Sequence, residues 1–390
     1  MKNKLRTIKS VNLKNKHIVL RVDFNVPVKN GKVLDDTKIE RALPTIKYLL
    51  KQRCKLAIVS HFGRPEGRQV KKLSLEPVYA VLKNKLPKAA IQFKNGIPKL
   101  ASSVLAQNDI VLLENIRFDK REDENSVVLA KELAKMGEVF VNEAFAFAHR
   151  KTASTVAITK LLPSYAGLNF ADEVKFLTKA LTPKKPAVAL IGGAKVKTKF
   201  EVVENFLKIY SKVMVAGGVA NTFLAAQGYD IGDSISDPSK ISKAKKLLKS
   251  TKMLLPRDVL VSNKNQRKVR VVKIEKQKVL CKKGEQIMDI GPETIKYYSQ
   301  QIKKAKTIVW GGPLGMFEKP KFSHGTLAIA KLIGSRGSKH AIVIAGGGET
   351  TLAIEMSKME KYYDFISTGG GAMLEFLSGN ILPGIKSLLK

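Results

Sequence analysis

The chain has 390 residues, of which 44% are hydrophobic, and it carries a formal net charge of +37 at pH 7. This length predicts two domains rather than one hydrophobic core. No run approaches the ~18 uninterrupted apolar residues of a transmembrane helix, and the N-terminal residues lack the apolar core of a signal peptide. The two cysteines have no motif spacing, so we expect a cytoplasmic protein with free thiols and no membrane contact.

The charge has two explanations. Its size alone favours nucleic acid or another polyanion as a partner. However, 57 of the 70 basic residues are lysines spread along the whole chain, whereas nucleic-acid sites concentrate arginine and aromatic residues. The densest run, 264–283, is predicted as a hairpin with a solvated basic face. We therefore favour a lysine-rich surface without a dedicated partner, and non-specific nucleic-acid binding stays open as the alternative.

Short apolar runs alternate with helical patterns along the chain. In the first half the predicted strands are HIVLRVDF, KLAIVS, IQFK, IVLLEN and EVFVNEAF, and the predicted helices are ERALPTIKYLLKQ, LEPVYAVLKNKL, PKLASSVLA and SVVLAKELAKM. The second half repeats the alternation from AVALI to FIS. This pattern predicts an α/β protein with two doubly wound parallel-sheet domains.

The segment 169–186 has helical periodicity and ends in prolines. We interpret it as an interdomain helix. The domains are accordingly predicted at 1–168 and 187–372, and the final segment, 373–390, is expected to pack back on the first domain.

Strands of the first half end in basic residues. His61 and Arg64 follow the second strand, Arg117 follows the fourth, and His149 and Arg150 follow the fifth. Ligands of open α/β sheets bind beyond the carboxyl ends of the strands, and arginine forks bind small fixed anions. One such arginine is usually a surface ion-pair former, but several at equivalent strand ends predict an anion site.

Asp23 and Asn25 leave the first strand at the same edge and alternate with apolar neighbours, so both can face one cleft. The pair is equally consistent with a turn before Val26 and Pro27. A carboxylate beside arginines would suit an anionic substrate that also carries a hydroxyl group.

Strands of the second half end in glycines instead. The glycines are Gly192, Gly193, Gly217, Gly218, Gly311, Gly312, Gly346, Gly347, Gly348, Gly369, Gly370 and Gly371. Glycine turns allow backbone N–H groups to surround a phosphate chain. The second half therefore predicts a nucleotide site.

Charged residues follow two of these turns. Lys195 and Lys199 are four residues apart and are predicted on one helical face, a spacing that is frequent by chance in a lysine-rich chain. Glu349 either holds a Mg²⁺ that bridges nucleotide phosphates or supplies favourable charge at a helix N-terminus. The chain contains no P-loop, no full GxGxxG and no zinc-type Cys/His spacing.

Ten segments in order along nearly the whole chain together resemble phosphoglycerate kinases. They are RVDFNVP, SHFGRP, LLENIRF, AFAHR, GGAKVKTK, LLPRDV, DIGPET, GGPLGMFE, AGGGET and STGGGAMLEFL. The resemblance implies two α/β domains joined by a hinge helix. It also implies a monomeric glycolytic kinase that closes around its ligands and transfers a phosphoryl group reversibly from 1,3-bisphosphoglycerate to ADP, giving 3-phosphoglycerate and Mg-ATP.

The resemblance assigns roles by position. The residues that would bind the acid substrate are Asp23, Phe24, Asn25, Lys38, His61, Phe62, Gly63, Arg64, Arg117 and Arg150, with His149 beside them. The residues that would bind the nucleotide are Gly193, Ala194, Lys195, Lys199, Gly217, Gly218, Pro313, Met316, Glu318, Gly346, Gly347, Gly348, Glu349 and Thr350. Lys38, Lys199 and Gly370 are the implied catalytic residues, and Glu349 is the implied Mg²⁺ ligand.

Four positions depart from the family pattern. Lys38 stands where the family has a catalytic arginine, and lysine keeps the charge but loses the planar fork; Arg41, one turn further, is a candidate to compensate. Glu349 replaces the metal-site aspartate, Gly311 an asparagine and Thr152 a histidine. With the high charge, these departures leave one alternative, a polyanion-binding protein on a degraded kinase scaffold.

Overall fold

The computed structural model of the chain describes residues 4–97, 109–337 and 340–390. They form two compact units. The first contains the residues up to Lys175 together with Ile381–Lys390, and the second contains Phe176–Asn380. The helix predicted over PKLASSVLA lies outside the described residues.

The core of the first unit is a six-stranded sheet. In spatial order its strands are Ile91–Lys94, Ile110–Leu113, Lys55–Val59, His17–Arg21, Val139–Asn142 and Ser164–Ala166. Every neighbouring pair is parallel. The central strands are almost continuously buried, as expected when helices cover both faces of a sheet. The sequence predicted all of these strands except the last, which has only three residues.

The helices of the first unit are amphipathic and pack on this sheet. They span Thr37–Lys51, Glu76–Lys85, Val127–Ala134 and the short Pro383–Lys386. In the first of them, Ile39, Ala42, Ile46 and Leu49 recur at helical spacing and are buried in the same core as the first strand. Burying each large aliphatic side chain contributes roughly 1.5–3 kcal/mol, so this face fixes the helix against the sheet.

The helix Leu168–Leu181 contains the boundary between the units. Glu143 lies at its N-terminus, where its carboxylate accepts hydrogen bonds from the Asn169 and Phe170 N–H groups at 3.1 and 3.2 Å and from Thr45 Oγ1 at 2.7 Å. Burial raises the pKa of Glu143 to about 8, although these hydrogen bonds oppose the shift. The residue therefore fixes the start of the helix to the strand Val139–Asn142 that precedes it.

The C-terminal segment returns to the first unit at Ile381, so residues 373–380 of the predicted returning segment lie in the second unit. The Arg6 guanidinium donates to the Ser387 carbonyl at 2.9 Å, and Gly384 N–H donates to the Ala148 carbonyl at 2.8 Å. These contacts hold the last residues beside the predicted anion site.

The second unit contains another six-stranded parallel sheet. Its spatial order is Met253–Leu254, Lys212–Val215, Ala187–Ile191, Thr307–Gly311, Ile342–Gly346 and Phe365–Ser367. The strand order reverses between Ala187–Ile191 and Thr307–Gly311, and ligands of such sheets bind at this switch point. The helices around it are Val196–Ile209, Gly217–Ala226, Ile241–Leu247, Pro292–Lys304, His324–Arg336, Gly348–Ser357 and Gly370–Leu377. The predicted α/β class with two doubly wound parallel sheets is confirmed.

The hairpin predicted within 264–283 is wrong. Val269–Lys273 pairs antiparallel with Asp258–Asn263, which also pairs with Glu285–Ile290. Val279–Cys281 instead pairs parallel with Asp230–Ile231. The prediction joined the two nearest apolar runs, but strand partners are decided by packing that composition does not reveal. The basic residues of this region are exposed, as predicted.

Among the described residues, no helix combines the length and the apolar character needed to cross a membrane.

Candidate active site

Basic side chains of the first unit gather around one aromatic ring. Phe147 is buried in a short turn that follows the strand Val139–Asn142. The guanidinium carbons of Arg21, Arg117 and Arg150 lie 4.9, 5.1 and 5.7 Å from its ring centroid. The His61 ring lies 4.3 Å from it, centroid to centroid. The structure therefore brings together three of the predicted anion-binding residues, with Arg21 and Phe147 added.

Arg117 is held by a carboxylate and a backbone carbonyl. It is buried, its Nε and Nη2 donate to Asp123 Oδ1 at 3.2 and 3.0 Å, and its Nη1 donates to the Gly63 carbonyl at 2.9 Å. Burial lowers the pKa of Arg150, and the charges of Arg117 and Arg64 lower it further. Arg64 itself is exposed. Asp123 offsets this repulsion only in part, and a bound anion would relieve it further.

His61 is neutral in this setting. Burial holds its pKa well below 6.5, and the nearby charges of Arg21 and Arg117 reinforce the shift against the opposing effect of Asp23. Arg21 Nη2 lies 3.3 Å from His61 Nδ1. Because a guanidinium only donates, Nδ1 is the acceptor and the proton is on Nε2. His61 therefore contributes a hydrogen-bond donor rather than a charge.

Asp23, Asn25 and Lys38 form a second group at the same sheet edge. Lys38 Nζ, in the first turn of Thr37–Lys51, lies 2.8 Å from Asp23 Oδ2. Burial raises the pKa of Asp23, but the charge of Lys38 and its hydrogen bond outweigh this effect and hold the pKa below its ordinary value. Asp23 also accepts from Asn25 N–H at 3.1 Å, so the turn expected for this pair forms as well.

Asn115 holds the loop that carries the predicted residues Phe62 and Gly63. Its Oδ1 accepts from Phe62 N–H at 3.0 Å and from Arg117 N–H at 3.2 Å, and its Nδ2 donates to the Phe62 carbonyl at 2.6 Å. Gly63 N–H in turn donates to Asn25 Oδ1 at 3.0 Å. Sequence reasoning missed Asn115 as a site residue, although it lies in the LLENIRF segment.

Two strand-end loops of the second unit approach so closely that only glycine fits. A Cβ on Gly192 would overlap the Pro313 carbonyl, and one on Gly312, where φ is +94°, would overlap the Gly192 carbonyl. Gly217 also has a positive φ, and its Cβ would lie 2.9 Å from the Gly193 nitrogen. The first three of the predicted glycine turns therefore pack backbone against backbone at the switch point.

Lys199 lies beneath this surface. It is only 6% exposed, and its Nζ donates to the Gly192 carbonyl. Burial lowers the pKa of Lys199 to about 8, although Glu349 opposes the shift. Lys195 differs from the prediction, because the helix begins at Val196 and Lys195 precedes it as an exposed residue. The two lysines therefore do not share a helical face.

The fourth glycine turn opens the helix Gly348–Ser357. Glu349 lies exposed in its first turn. Thr350 is buried, and its Oγ1 accepts from Gly312 N–H at 2.7 Å, so it joins this turn to the third one. A Cβ on Gly346 would collide with Met373 of the following helix. Thr350 and Gly346 thus have structural contacts in addition to the phosphate role predicted for them.

Asp289 supports the loop that carries Pro313, Met316 and the exposed Glu318. Met316 N–H donates to the carbonyl of the adjacent Met288 at 2.8 Å. Asp289 is buried and accepts from Gly325 N–H, at the start of His324–Arg336, at 2.8 Å. Burial raises its pKa to about 7 against these hydrogen bonds. Sequence reasoning gave Asp289 no role, although it lies in the DIGPET segment.

The predicted Mg²⁺ site depends on which side chains are available as ligands. Within the described part of the chain, no group of three or more His, Cys, Asp and Glu side chains could hold a metal ion. Mg²⁺ often takes only one or two protein carboxylates, with phosphate oxygens and water completing its shell. Glu349, at the mouth of the glycine turns, fits a Mg²⁺ that arrives with the nucleotide.

Comparisons with known proteins agree with this geometry. A family model described as phosphoglycerate kinase matches residues 8–380. The phosphoglycerate kinase of Pelotomaculum thermopropionicum is 41% identical over 398 residues, covering 98% of this chain and 99% of the relative, and that of Thermosipho africanus is 41% identical over 395 residues, covering 98% and 97%. The solved phosphoglycerate kinase of Coxiella burnetii has a TM-score of 0.86 and 39% identity, covering 99% of both chains, and that of Pyrococcus horikoshii has 0.84 and 30%, covering 98% of both. The chain belongs to the phosphoglycerate kinase family.

Proposed function

We propose that the first unit binds the acid substrate, that the second binds the nucleotide, and that the phosphoryl group passes between them in one in-line step without a phosphorylated enzyme. The glycolytic kinase activity, transfer between 1,3-bisphosphoglycerate and ADP, follows from family membership. The observation that carries the proposal is the position of Lys199. Its buried ammonium lies where the glycine turns of two neighbouring strands meet, so a nucleotide phosphate on those turns would lie beside a cation.

The chemistry requires charge more than proton transfer. The attacking oxygen, on a carboxylate or a phosphate, is already an anion, so no strong general base is needed. Lys199, Lys38 and the helix N-terminus at Gly370 supply preorganised positive potential around the migrating group. Mg²⁺, when bound through Glu349 with the nucleotide, would neutralise phosphate charge.

The acid substrate is expected to use the cluster in the first unit. Arg64, Arg117 and Arg150 provide cations for the phosphate that is not transferred, and neutral His61 provides an N–H donor. Asp23, kept ionised beside Lys38, is an acceptor for the substrate hydroxyl. Asn25 supports the same loop through Gly63.

Direct transfer requires contact between the two ligands, so the proposal includes closure of the two units on binding. The helix Leu168–Leu181, which contains the unit boundary, is the expected pivot. Small-angle X-ray scattering with 3-phosphoglycerate and an ATP analogue should show a smaller radius of gyration than the free chain. An unchanged radius with both ligands bound would argue against closure.

Replacing Lys199 tests the assignment. Lys199→Ala should lower turnover by ~10²–10³-fold in a coupled assay of ATP formation, the usual effect of losing one preorganised contact, while 3-phosphoglycerate still binds. Lys197→Ala, an exposed lysine of the same helix, is the matched control and should keep its turnover. Normal turnover of Lys199→Ala would refute the role of Lys199.

A second function rests on the exposed basic residues of 264–283. They are Lys264, Arg267, Lys268, Arg270, Lys273, Lys276, Lys278, Lys282 and Lys283. Such a surface favours non-specific polyanion binding whose affinity falls steeply with salt. A filter-binding titration with single-stranded RNA at two salt concentrations tests it independently of kinase activity.

The proposal also places the chain in the cytoplasm as a monomer. The buried thiols of Cys54 and Cys281 are free, which suits a reducing compartment. Sedimentation velocity tests the monomer, and a second boundary at higher concentration would contradict it.

A further inference from the structure

Phe147 occupies an unusual place among the cations of the first unit. Three guanidinium groups and one imidazole lie within 6 Å of its ring centroid. The neighbouring Phe145 lies in the same short turn but contacts the ring of Phe170, edge to face at 5.6 Å. Phe147 therefore contacts the cations of the cluster, and Phe145 packs against Phe170.

The carboxylates near the three arginines, Asp23, Glu122 and Asp123, are shared unevenly among them. Asp123 binds Arg117 directly. Glu122 acts on Arg21 through Ser154, whose Oγ donates to the carboxylate at 2.6 Å and accepts from Arg21 Nε at 2.8 Å. Arg150 has its strongest charged neighbours in other arginines, which repel it. The ring of Phe147 is a contact that all three guanidinium groups share.

An aromatic ring attracts cations without consuming their charge. The face of a phenyl ring carries partial negative potential and attracts a guanidinium by roughly 0.5–2 kcal/mol, depending on exposure. A carboxylate at the same place would bind the arginines more strongly, but it would also compete with an incoming anion. The ring gathers the cations and leaves their positive charge available.

We propose that Phe147 is a positioning residue, whose ring holds Arg21, Arg117, Arg150 and His61 in the arrangement that receives the phosphate of the acid substrate. The inference rests on the proposed role of this cluster in binding the acid substrate. It adds a residue that contacts the binding groups rather than the ligand.

The test compares non-aromatic and aromatic replacements. Phe147→Leu and Phe147→Met remove the ring and keep an apolar side chain, whereas Phe147→Tyr keeps the ring. Losing contacts to the arginines should raise KM for 3-phosphoglycerate about tenfold in Leu and Met variants, with KM for ATP and kcat changed less than about twofold. Calorimetric titration with 3-phosphoglycerate should show the same loss, and Phe147→Tyr should stay near wild type in both measurements.

Phe145→Leu is the matched control for packing. It removes a buried ring from the same turn and should lower the melting temperature without changing KM for 3-phosphoglycerate. If Phe147→Leu behaves like Phe145→Leu, the role of Phe147 is structural and the inference is wrong. A folded Phe147→Tyr as weak as Phe147→Leu would also overturn it.

The kinetics of the wild-type chain distinguish a failure of this inference from a failure of the proposed function. If it shows no saturable dependence on 3-phosphoglycerate, the proposed role of the cluster fails and the inference fails with it. If wild type saturates normally and Phe147→Leu has the same KM, only the positioning role is refuted.

Discussion

In the proposed function, the two units present positive potential to an anion in different ways. In the first, side chains supply it: arginines at strand ends lie around Phe147, and Lys38, in the first turn of the helix Thr37–Lys51, lies beside Asp23. In the second, backbone N–H groups supply it, and Lys199 is the buried cation beneath the glycine turns. A side-chain site loses binding in proportion to the contacts removed, whereas the glycine turns have no space for a side chain where the backbones meet, at Gly192 and Gly312. Single substitutions should therefore act gradually in the first unit and abruptly in the second.

The largest effect is expected where the backbones approach. Gly312→Ala places a Cβ against the Gly192 carbonyl at φ +94°, and a residue forced into the left-handed region also costs roughly 1–2 kcal/mol. We expect kcat/KM for ATP to fall at least ~100-fold, which requires a loss of about 2.7 kcal/mol. Steady-state kinetics with ATP as the varied substrate measures this.

Gly311→Ala is the adjacent control, because its Cβ would meet nothing closer than Ile191 Cδ1 at 3.8 Å. It should retain most of its activity. Trp310, the single tryptophan, donates from Nε1 to the Gly312 carbonyl at 2.8 Å, so its fluorescence reports on this turn. Equal losses in the two alanine variants would contradict the steric argument.

In the first unit, Arg117→Ala should act on one substrate only. The variant loses a charge-assisted contact of roughly 1.5–3 kcal/mol, so KM for 3-phosphoglycerate should rise about 10–100-fold while KM for ATP stays unchanged. Arg121→Ala is the control, since Arg121 forms its ion pairs with Asp119 and Glu132 instead. A rise in KM for ATP would show that the two ligands do not bind to separate units.

These expectations also show what sequence could and could not predict. His61, Arg117 and Arg150 were predictable because strand ends of a parallel sheet converge. Phe147 and Asn115 were not, since a phenylalanine or asparagine near a buried strand looks the same whether it packs in the core or supports a site. The start of the helix at Val196, which separates Lys195 from Lys199, depends on loop geometry that periodicity does not specify.

A difference in pH dependence should separate the units further. Lys199 has a folded pKa of about 8 against an ordinary 10.5. At pH values between these two pKa values the Lys199 amine is mostly neutral in the ligand-free folded chain, yet nucleotide phosphates favour its charged form. ADP binding then requires proton uptake, so affinity should fall roughly tenfold from pH 7 to pH 9. The second pKa of a phosphate group is near 6, so the phosphates of ADP do not account for a change between pH 7 and pH 9.

Calorimetric titration with ADP at several pH values checks this dependence. Lys199→Met, which cannot titrate, should bind more weakly at pH 7 and show a flat profile up to pH 9. Binding of 3-phosphoglycerate should change little over the same range, because burial keeps His61 neutral throughout. Parallel pH profiles in wild type and Lys199→Met would remove Lys199 as the cause.

The smallest change is expected at Lys38, where this chain departs from its family. Lys38 Nζ already lies 2.8 Å from Asp23 Oδ2, and an arginine of similar reach can keep that ion pair while offering further N–H donors. Lys38→Arg should therefore leave kcat equal or raise it by a few-fold at most. Lys38→Met, which loses the charge, should lower kcat far more and leave Asp23 without its cation. If Lys38→Arg instead abolishes turnover, the site of the first unit requires the compact ammonium of lysine. A site made of side chains would then tolerate substitution as poorly as the glycine turns do.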